Sequence, residues 1–458
     1  MKNFSPHEKR IVVISILASF VSFLDGFIVT VALPAIAQEF GGGLAIQQWV
    51  VNAYLLTLGS LILLAGSLSD IFGRLRILYL GLIGFGATSL LCAVAPDGLF
   101  LVIARGLQGM AGALLVPSSL ALIMSTFQGS KQSKAIGIWT SWTVVAAIAG
   151  PLVGGLLVDA SSWRLIFGIN IIPIIITMWL MRPVSELKTE KSARLDSIGA
   201  LLCAVGLGSV TYSFIEQPQF GWSHPLIYGS LGVGIILLAL FIWYERRSSH
   251  PMVPLSLFTN RNFSMGNLAT IFIYGGLSVS SFIVTIFLQQ VAGFSALFAG
   301  LAFIPVTILM FFLSSLFGGL SGKYGPRIFM SLGPVVAGIG FLLMLFTDQS
   351  VNYWTDLLPG VIVFGLGLSM TVAPLTSAIL GSISAERSGI GSAINNAVSR
   401  IAGLIAVAAV GIVTSASLNV AGFHIGLFFT AALLFIGGAI SAVGIRNSLV
   451  KANLPEKH

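Results

Sequence analysis

SKAIGIWTSWTVVAAIAGPLVGGLLVD, residues 133–159, is one long apolar run that carries Gly150-Pro151 and, three residues on, Gly154-Gly155. A run this long and this apolar exceeds an ordinary soluble helix and reads as a membrane-spanning one. Proline within it removes a backbone donor and kinks the helix, while glycines three to five residues apart let a neighbouring helix come close. In lipid such a defect survives only where a partner helix covers it. Two readings follow: a tight helix crossing, or a crossing with a part in function.

The rest of the chain has the same character. It has 458 residues, of which 56% are hydrophobic and only 8% charged, with a mean hydropathy of +0.99. That composition is expected of a polytopic membrane protein and leaves no stretch for a soluble catalytic domain. The segment Met1–Arg10 is short and polar, and the apolar run after it has no A-x-A site, so no cleavable signal peptide is expected. Cys92 and Cys203 both lie in apolar runs, which argues against a disulfide framework and a metal site. No cofactor is expected.

Apolar runs of about 20 residues fall near 11–37, 47–69, 76–96, 98–124, 134–158 and 163–182, then 197–215 and 226–245, then 263–291, 296–321, 327–347, 354–380, 389–417 and 421–446. The total is 6 + 2 + 6 = 14 spans, all helical. An even count puts both termini on one side. Of the 23 lysines and arginines, 20 fall in loops on that side; only Arg164 falls on the other, and Arg105 and Arg400 remain inside spans. The bias predicts cytoplasmic termini, and it explains the net charge of +8 without nucleic acid.

An internal repeat supports the count. GSLSDIFGRLRIL at 66–78 is echoed by GGLSGKYGPRIFM at 318–330, an offset of 318 − 66 = 252 residues. The expected organisation is a six-helix bundle over 1–182, linkers and two extra spans over 183–260, and a second six-helix bundle over 261–458. A site between parallel repeats at the membrane midplane is then expected.

Few residues inside spans bear charge. Asp25 is the one acidic residue well inside a span. Burying it ionised in hydrocarbon costs several kcal/mol, so it is expected to be neutral part of the time, paired, or facing a wet cavity. Arg105 is its counterpart on span four; Gln108, Gly109 and Gly112 follow on the same helical face. If the two meet, the arginine stabilises the carboxylate, and a change that separates them captures a proton. An inert buried ion pair is the alternative.

Four motifs together resemble the major facilitator superfamily, and the resemblance covers essentially the whole chain. The loop Gly66, Leu68, Asp70, Gly73, Arg74 and Arg76 is similar to the superfamily signature G-x-L-x-D-R-x-G-R-K, with Ile71 and Leu75 in place of basic residues. LDGFIVTVALP at 24–34 is similar to the first-helix motif L-D-x-T-x-V-N-V-A-L-P, with Phe27 and Thr30 at the Thr and Asn positions. Arg105, Gln108 and Gly109 fit the R-x-x-Q-G motif associated with proton transfer, and Gly150, Pro151, Gly154 and Gly155 look like the antiporter motif of drug exporters. With fourteen spans, the chain resembles the drug:proton antiporters of the EmrB/QacA type. The resemblance implies two pseudo-symmetric bundles, export of amphiphilic or lipophilic small molecules against protons by alternating access, and a bacterial cytoplasmic membrane. Asp25 and Arg105 would couple the proton, and the 66–76 loop would latch the cytoplasmic gate. Gly322 stands where the second copy would carry the Asp70 equivalent, so the gate is expected to be asymmetric.

The substrate wall is read from polar faces. On span nine Asn267, Tyr274, Ser278, Ser281 and Thr285 share a face, and on span thirteen Ser392, Asn395 and Ser399 do likewise. Trp139 and Trp142 offer an aromatic surface, and Gln108 lies beside Arg105. Each has interhelical packing as its plainer reading. For Arg400 three readings stand open: binding an anionic group, pairing within the cavity, or reaching to the interface. The partners expected are a small-molecule substrate, protons and the lipid bilayer, with the protein a monomer. A dedicated exporter of one lipid, fatty acid or anionic metabolite is the alternative function; a channel lacks a filter-like loop, and an enzyme lacks any grouped nucleophile and base.

Overall fold

The computed structural model describes residues 4–185, 195–384 and 387–447. Of the basic residues used in the charge count, Lys2, Lys188, Lys191, Arg194, Lys451 and Lys457 lie outside the described residues. The fold is all-helical. Among the described residues, thirteen helices are long and apolar enough to cross a membrane: α1 Pro6–Phe40, α2 Gly43–Phe72, α3 Arg74–Ala93, α4 Gly98–Thr126, α5 Lys134–Ala160, α7 Ser197–Phe220, α8 Pro225–Arg247, α9 Arg261–Gln290, α10 Ala296–Tyr324, α11 Pro326–Phe346, α12 Tyr353–Leu380, α13 Ser388–Val413 and α14 Val420–Gly444. The shorter apolar helix Leu165–Met181, α6, completes fourteen. Helix is the form in which a chain this apolar satisfies its backbone groups without water. Polar caps mark the ends: Ser5 closes a capping box with Glu8, Asp97 caps α4, and Asn419 caps α14.

Three helices depart from the continuous spans expected of them: α1, α6, and α10, which is interrupted at Ala302 and Phe303 between Ala296–Leu301 and Ile304–Tyr324. In α1 the α-helical hydrogen bonding gives way to a 3₁₀ turn over Val29–Ala32. Pro34 lacks the N–H that would reach Thr30 and its ring crowds that carbonyl, so the chain tightens there. In α6 the helix runs Leu165–Gly168, breaks at Ile169 and Asn170, and resumes as Ile171–Met181. Pro173 stands four residues after Ile169 and has the same effect. By contrast the helix holding α5 runs on through Pro151 over Gly129–Ala160.

The internal repeat survives in the backbone. Gly73 and Gly325 have φ of +103° and +87°, conformations that favour glycine, and each N–H bonds a serine carbonyl, Ser69 or Ser321. Both offsets are 252 residues, as 325 − 73 and 321 − 69.

α1 packs on α4, α5 and α6, and α2 on α4; in the later part α9 packs on α13 and α14, and α11 on α12 and α14. The main contacts that join the segments before and after the central pair are α2 against α13 and α5 against α10, with α1 also touching α9 and α10. The extra helices α7 and α8 pack on each other, and α7 also touches α2 and α13. Cys203 and Leu207 of α7 close a small core with Leu404, and Trp49 donates to Glu216 at 2.7 Å. The outer face of α8 leaves Ile235, Ile236 and Leu240 exposed, as a lipid-facing helix does.

One end of these seams is closed. Gln48 donates to the carbonyls of Val407 and Ala408, at 2.6 and 3.1 Å, and Gln289 to that of Val31 at 3.1 Å. Asp159, at the end of α5, accepts the N–H groups of Ala296 and Leu297 at 3.0 and 2.9 Å. A Cβ on Gly155 would stand 2.4 Å from the Leu297 Cα, and one on Gly300 2.7 Å from the Pro151 carbonyl oxygen. Near the other end of the same four helices, a Cβ on Gly66, Gly137, Gly319, Gly322 or Gly389 would meet nothing within 4 Å among the described residues. The seams are tight at one end and open at the other.

Candidate functional site

Asp25 lies fully buried on α1, just before the 3₁₀ turn. Its Oδ2 accepts from the Arg105 Nη1 at 2.5 Å, and its Oδ1 accepts from the Gln108 and Asn170 amides, both at 3.1 Å. Arg105 is held in turn: its Nε donates to the Val50 carbonyl at 3.1 Å and its Nη1 to the Gln108 Oε1 at 2.7 Å. Its guanidinium lies 4.3 Å from the Tyr54 ring centroid. Ser89 ties the amides together, accepting from Gln108 at 2.9 Å and Asn170 at 3.0 Å. Five helices, α1, α2, α3, α4 and α6, meet in one network.

The local sequence explains the convergence. Arg105 and Gln108 are three residues apart on α4, so they share a face. Asn170 arrives through the break that Pro173 imposes on α6, which turns its side chain into the bundle. Such a pair is neutral as a unit, and both carboxylate oxygens together with the Arg105 Nε and Nη1 are hydrogen-bonded, which is how buried charges are tolerated. Removing either charge leaves the other stranded.

Gln108 thus belongs to this network and not to an open wall. Trp139 donates to Ser19 at 3.0 Å and meets the Phe23 ring, centroids 6.4 Å apart; Trp142 meets Phe20 at 6.2 Å. Both tryptophans line α1 and stay partly exposed. Asn395 donates to Asn267 at 3.1 Å and Thr270 at 3.0 Å, joining α9 to α13. Ser278 sits where a Cβ on Gly403 would fall, so it too is a packing contact of those helices. Tyr274 and Arg400 are half-buried.

Asp70 and Arg74 form a long ion pair of 3.4 Å at the open end, with Asp70 54% exposed. Arg76 lines a cleft of about 290 Å³ with Tyr79, Met178 and Arg182. Gly150 and Gly154 press on α1, where added Cβ atoms would come within 2.7 Å of Phe27 and 2.6 Å of Ile28. Gly155 and Pro151 press on α10 instead. One motif therefore grips a helix on each side of the seam. Among the described residues, no three His, Cys, Asp or Glu side chains gather as metal ligands would.

Sequence reasoning did not reach Asn170, Ser89 or Tyr54. The available signal was a polar residue inside an apolar run, which spans three and six also show at Thr88 and Thr177.

The family model described as Major Facilitator Superfamily matches residues 15–407. The chain is 35% identical over 409 residues to the multidrug resistance protein Stp of Mycobacterium tuberculosis, covering 88% of this chain and 75% of that one. It is 30% identical over 443 residues to the methylenomycin A resistance protein of Bacillus subtilis, covering 95% and 92%. In fold it is similar to a solved peptide transporter, POT, with a TM-score of 0.69 at 16% identity over 95% of this chain and 93% of that one.

Proposed function

From the premise that the chain belongs to the major facilitator superfamily, as a multi-pass transport protein of a bacterial plasma membrane and not an enzyme, we propose that it exports amphiphilic or lipophilic small molecules in exchange for protons. The observation that carries the coupling is Asp25, buried and bonded on both oxygens, with Arg105 as its counter-ion. Export is favoured by relatives named for multidrug and methylenomycin A resistance.

The working cycle is alternating access between two six-helix bundles, with Gly150, Pro151, Gly154 and Gly155 closing one end and the 66–76 loop the other. The excess of Lys and Arg at the open end favours the cytoplasm there, so the arrangement corresponds to an inward-facing state. A proton taken up by Asp25 releases Arg105 and biases the bundles toward the other state; its loss resets them. The second reading, a dedicated exporter of one endogenous compound, uses the same cycle with a narrower substrate.

The test is efflux of a lipophilic dye from inverted vesicles under an imposed pH gradient. Wild type is expected to transport and Asp25→Asn to lose gradient-driven transport while keeping dye binding. Gradient-driven transport at wild-type rate by Asp25→Asn removes Asp25 from the coupling.

A further inference from the structure

Two arginines lie inside the spans, and their surroundings are opposite. Arg105 is ion-paired with Asp25 and also bonded to Gln108 and the Val50 carbonyl. Arg400 has no ion pair and no hydrogen bond from its guanidinium among the described residues. It stands 400 − 388 = 12 residues into α13, about 18 Å from that helix end at 1.5 Å per residue. In a hydrocarbon core of about 30 Å that is near mid-depth. Its stem passes Gly59 of α2, where a Cβ would come within 3.2 Å of the Arg400 Cβ. Its head lies 5.8 Å from the ring centroid of Phe23 on α1, across the seam. Phe23 in turn borders Trp139, and Phe20 borders Trp142.

The space between the bundles therefore presents a half-buried cation over an aromatic surface. The neighbouring acid gives a cationic substrate nothing to bind, because Asp25 is fully buried with both oxygens occupied. An unpaired guanidinium at low dielectric is unfavourable, and it is relieved by an oxyanion that accepts its fork of donors. The aromatic rings beside it suit an apolar tail.

We propose that the carried molecule is an amphiphilic anion, whose carboxylate or phosphate-like head Arg400 binds while Phe23, Trp139 and Trp142 receive its apolar body. This inference rests on the export reading, since it names the substrate of the same path. It also narrows that reading: a positive site repels the permanently cationic drugs that a more acidic cavity would accept.

The test uses the full chain in nanodiscs at about pH 8, with tryptophan quenching by three ligands sharing one tail: decanoate, decanol and decyltrimethylammonium, each corrected with empty nanodiscs. Decanoate is expected to bind about ten-fold tighter than either, the size of one charge-assisted hydrogen bond. Arg400→Gln abolishes the preference, and Arg400→Lys, which keeps the charge but not the fork, retains part of it. Equal binding of the three by wild type, or a preference for the ammonium, overturns the proposal without any variant. So does an Arg400→Gln protein that melts as wild type and keeps the preference. The preference is read at equilibrium with no pH gradient, whereas coupling is read as gradient-driven transport, so a failure of anion selection and a failure of proton coupling are distinguished.

Discussion

Gly155→Ala should shift the protein away from the state seen here. The added Cβ would stand 2.4 Å from the Leu297 Cα and 2.6 Å from its nitrogen, where ordinary contact begins at 3.4 Å. Both are backbone atoms of α10, so no side chain can swing aside. The helices must part by 3.4 − 2.4 = 1.0 Å at that point. Overpacking of this kind costs about 1–3 kcal/mol. Because the contact belongs to the closed end, the cost falls on that state and moves a two-state equilibrium by about 5- to 150-fold. Spin labels at Ser161 and Gln290, exposed ends of α5 and α9, would report the change by pulsed electron resonance. A longer distance should gain population in Gly155→Ala and in Gly300→Ala, which meets the Pro151 backbone. Gly137→Ala, on the same helix with open space around it, is the control and should match wild type. If Gly155→Ala and Gly300→Ala fold normally and keep the wild-type distances, the seam is not the element that opens.

Two other changes test neighbouring parts of the reasoning. Asp159→Ala strips the Ala296 and Leu297 N–H groups of a charged acceptor, worth about 1.5–3 kcal/mol, so the same label pair should show the closed end opening while Asp159→Asn shows a smaller effect. Asn170→Ala leaves the Asp25 Oδ1 one donor short at a cost of about 1–3 kcal/mol; a lower melting temperature is expected, together with a changed pH dependence of transport. A variant with only the lower melting temperature would make Asn170 a packing residue.

Much of the fold is legible in the chain because its causes are local. An apolar run of the right length must be a spanning helix, and the repeat of Gly73 at Gly325 follows from two copies of one turn. The breaks in α1 and α6 were legible only in part: Pro34 and Pro173 are visible, but a proline also sits in α5, whose helix continues through it. Whether the backbone yields or the neighbours accommodate the ring is decided by packing. Asp25, Arg105 and Arg400 stand out for an equally simple reason, since a charge inside a span is costly and needs an explanation. Asn170 and Ser89 carry no such flag. Small polar residues are common between membrane helices, and their cost is low enough that their presence alone says little.

The sequence by itself determined the helices, their order, the bias of basic residues to one side and the few charges in the middle of spans, because each depends on residues near one another along the chain. Only the tertiary structure decided which of those charges meet. Asp25 and Arg105 are 80 residues apart, and nothing in either span dictates that one arginine is ion-paired while Arg400, near Phe23, has no ion pair among the described residues. The tertiary structure also decided which end of the seams is closed. That depends on how α5 sits on α10 and α2 on α13, contacts between helices far apart in sequence, whose geometry is set by the shapes of the packed surfaces and not by the hydropathy of either strand of sequence.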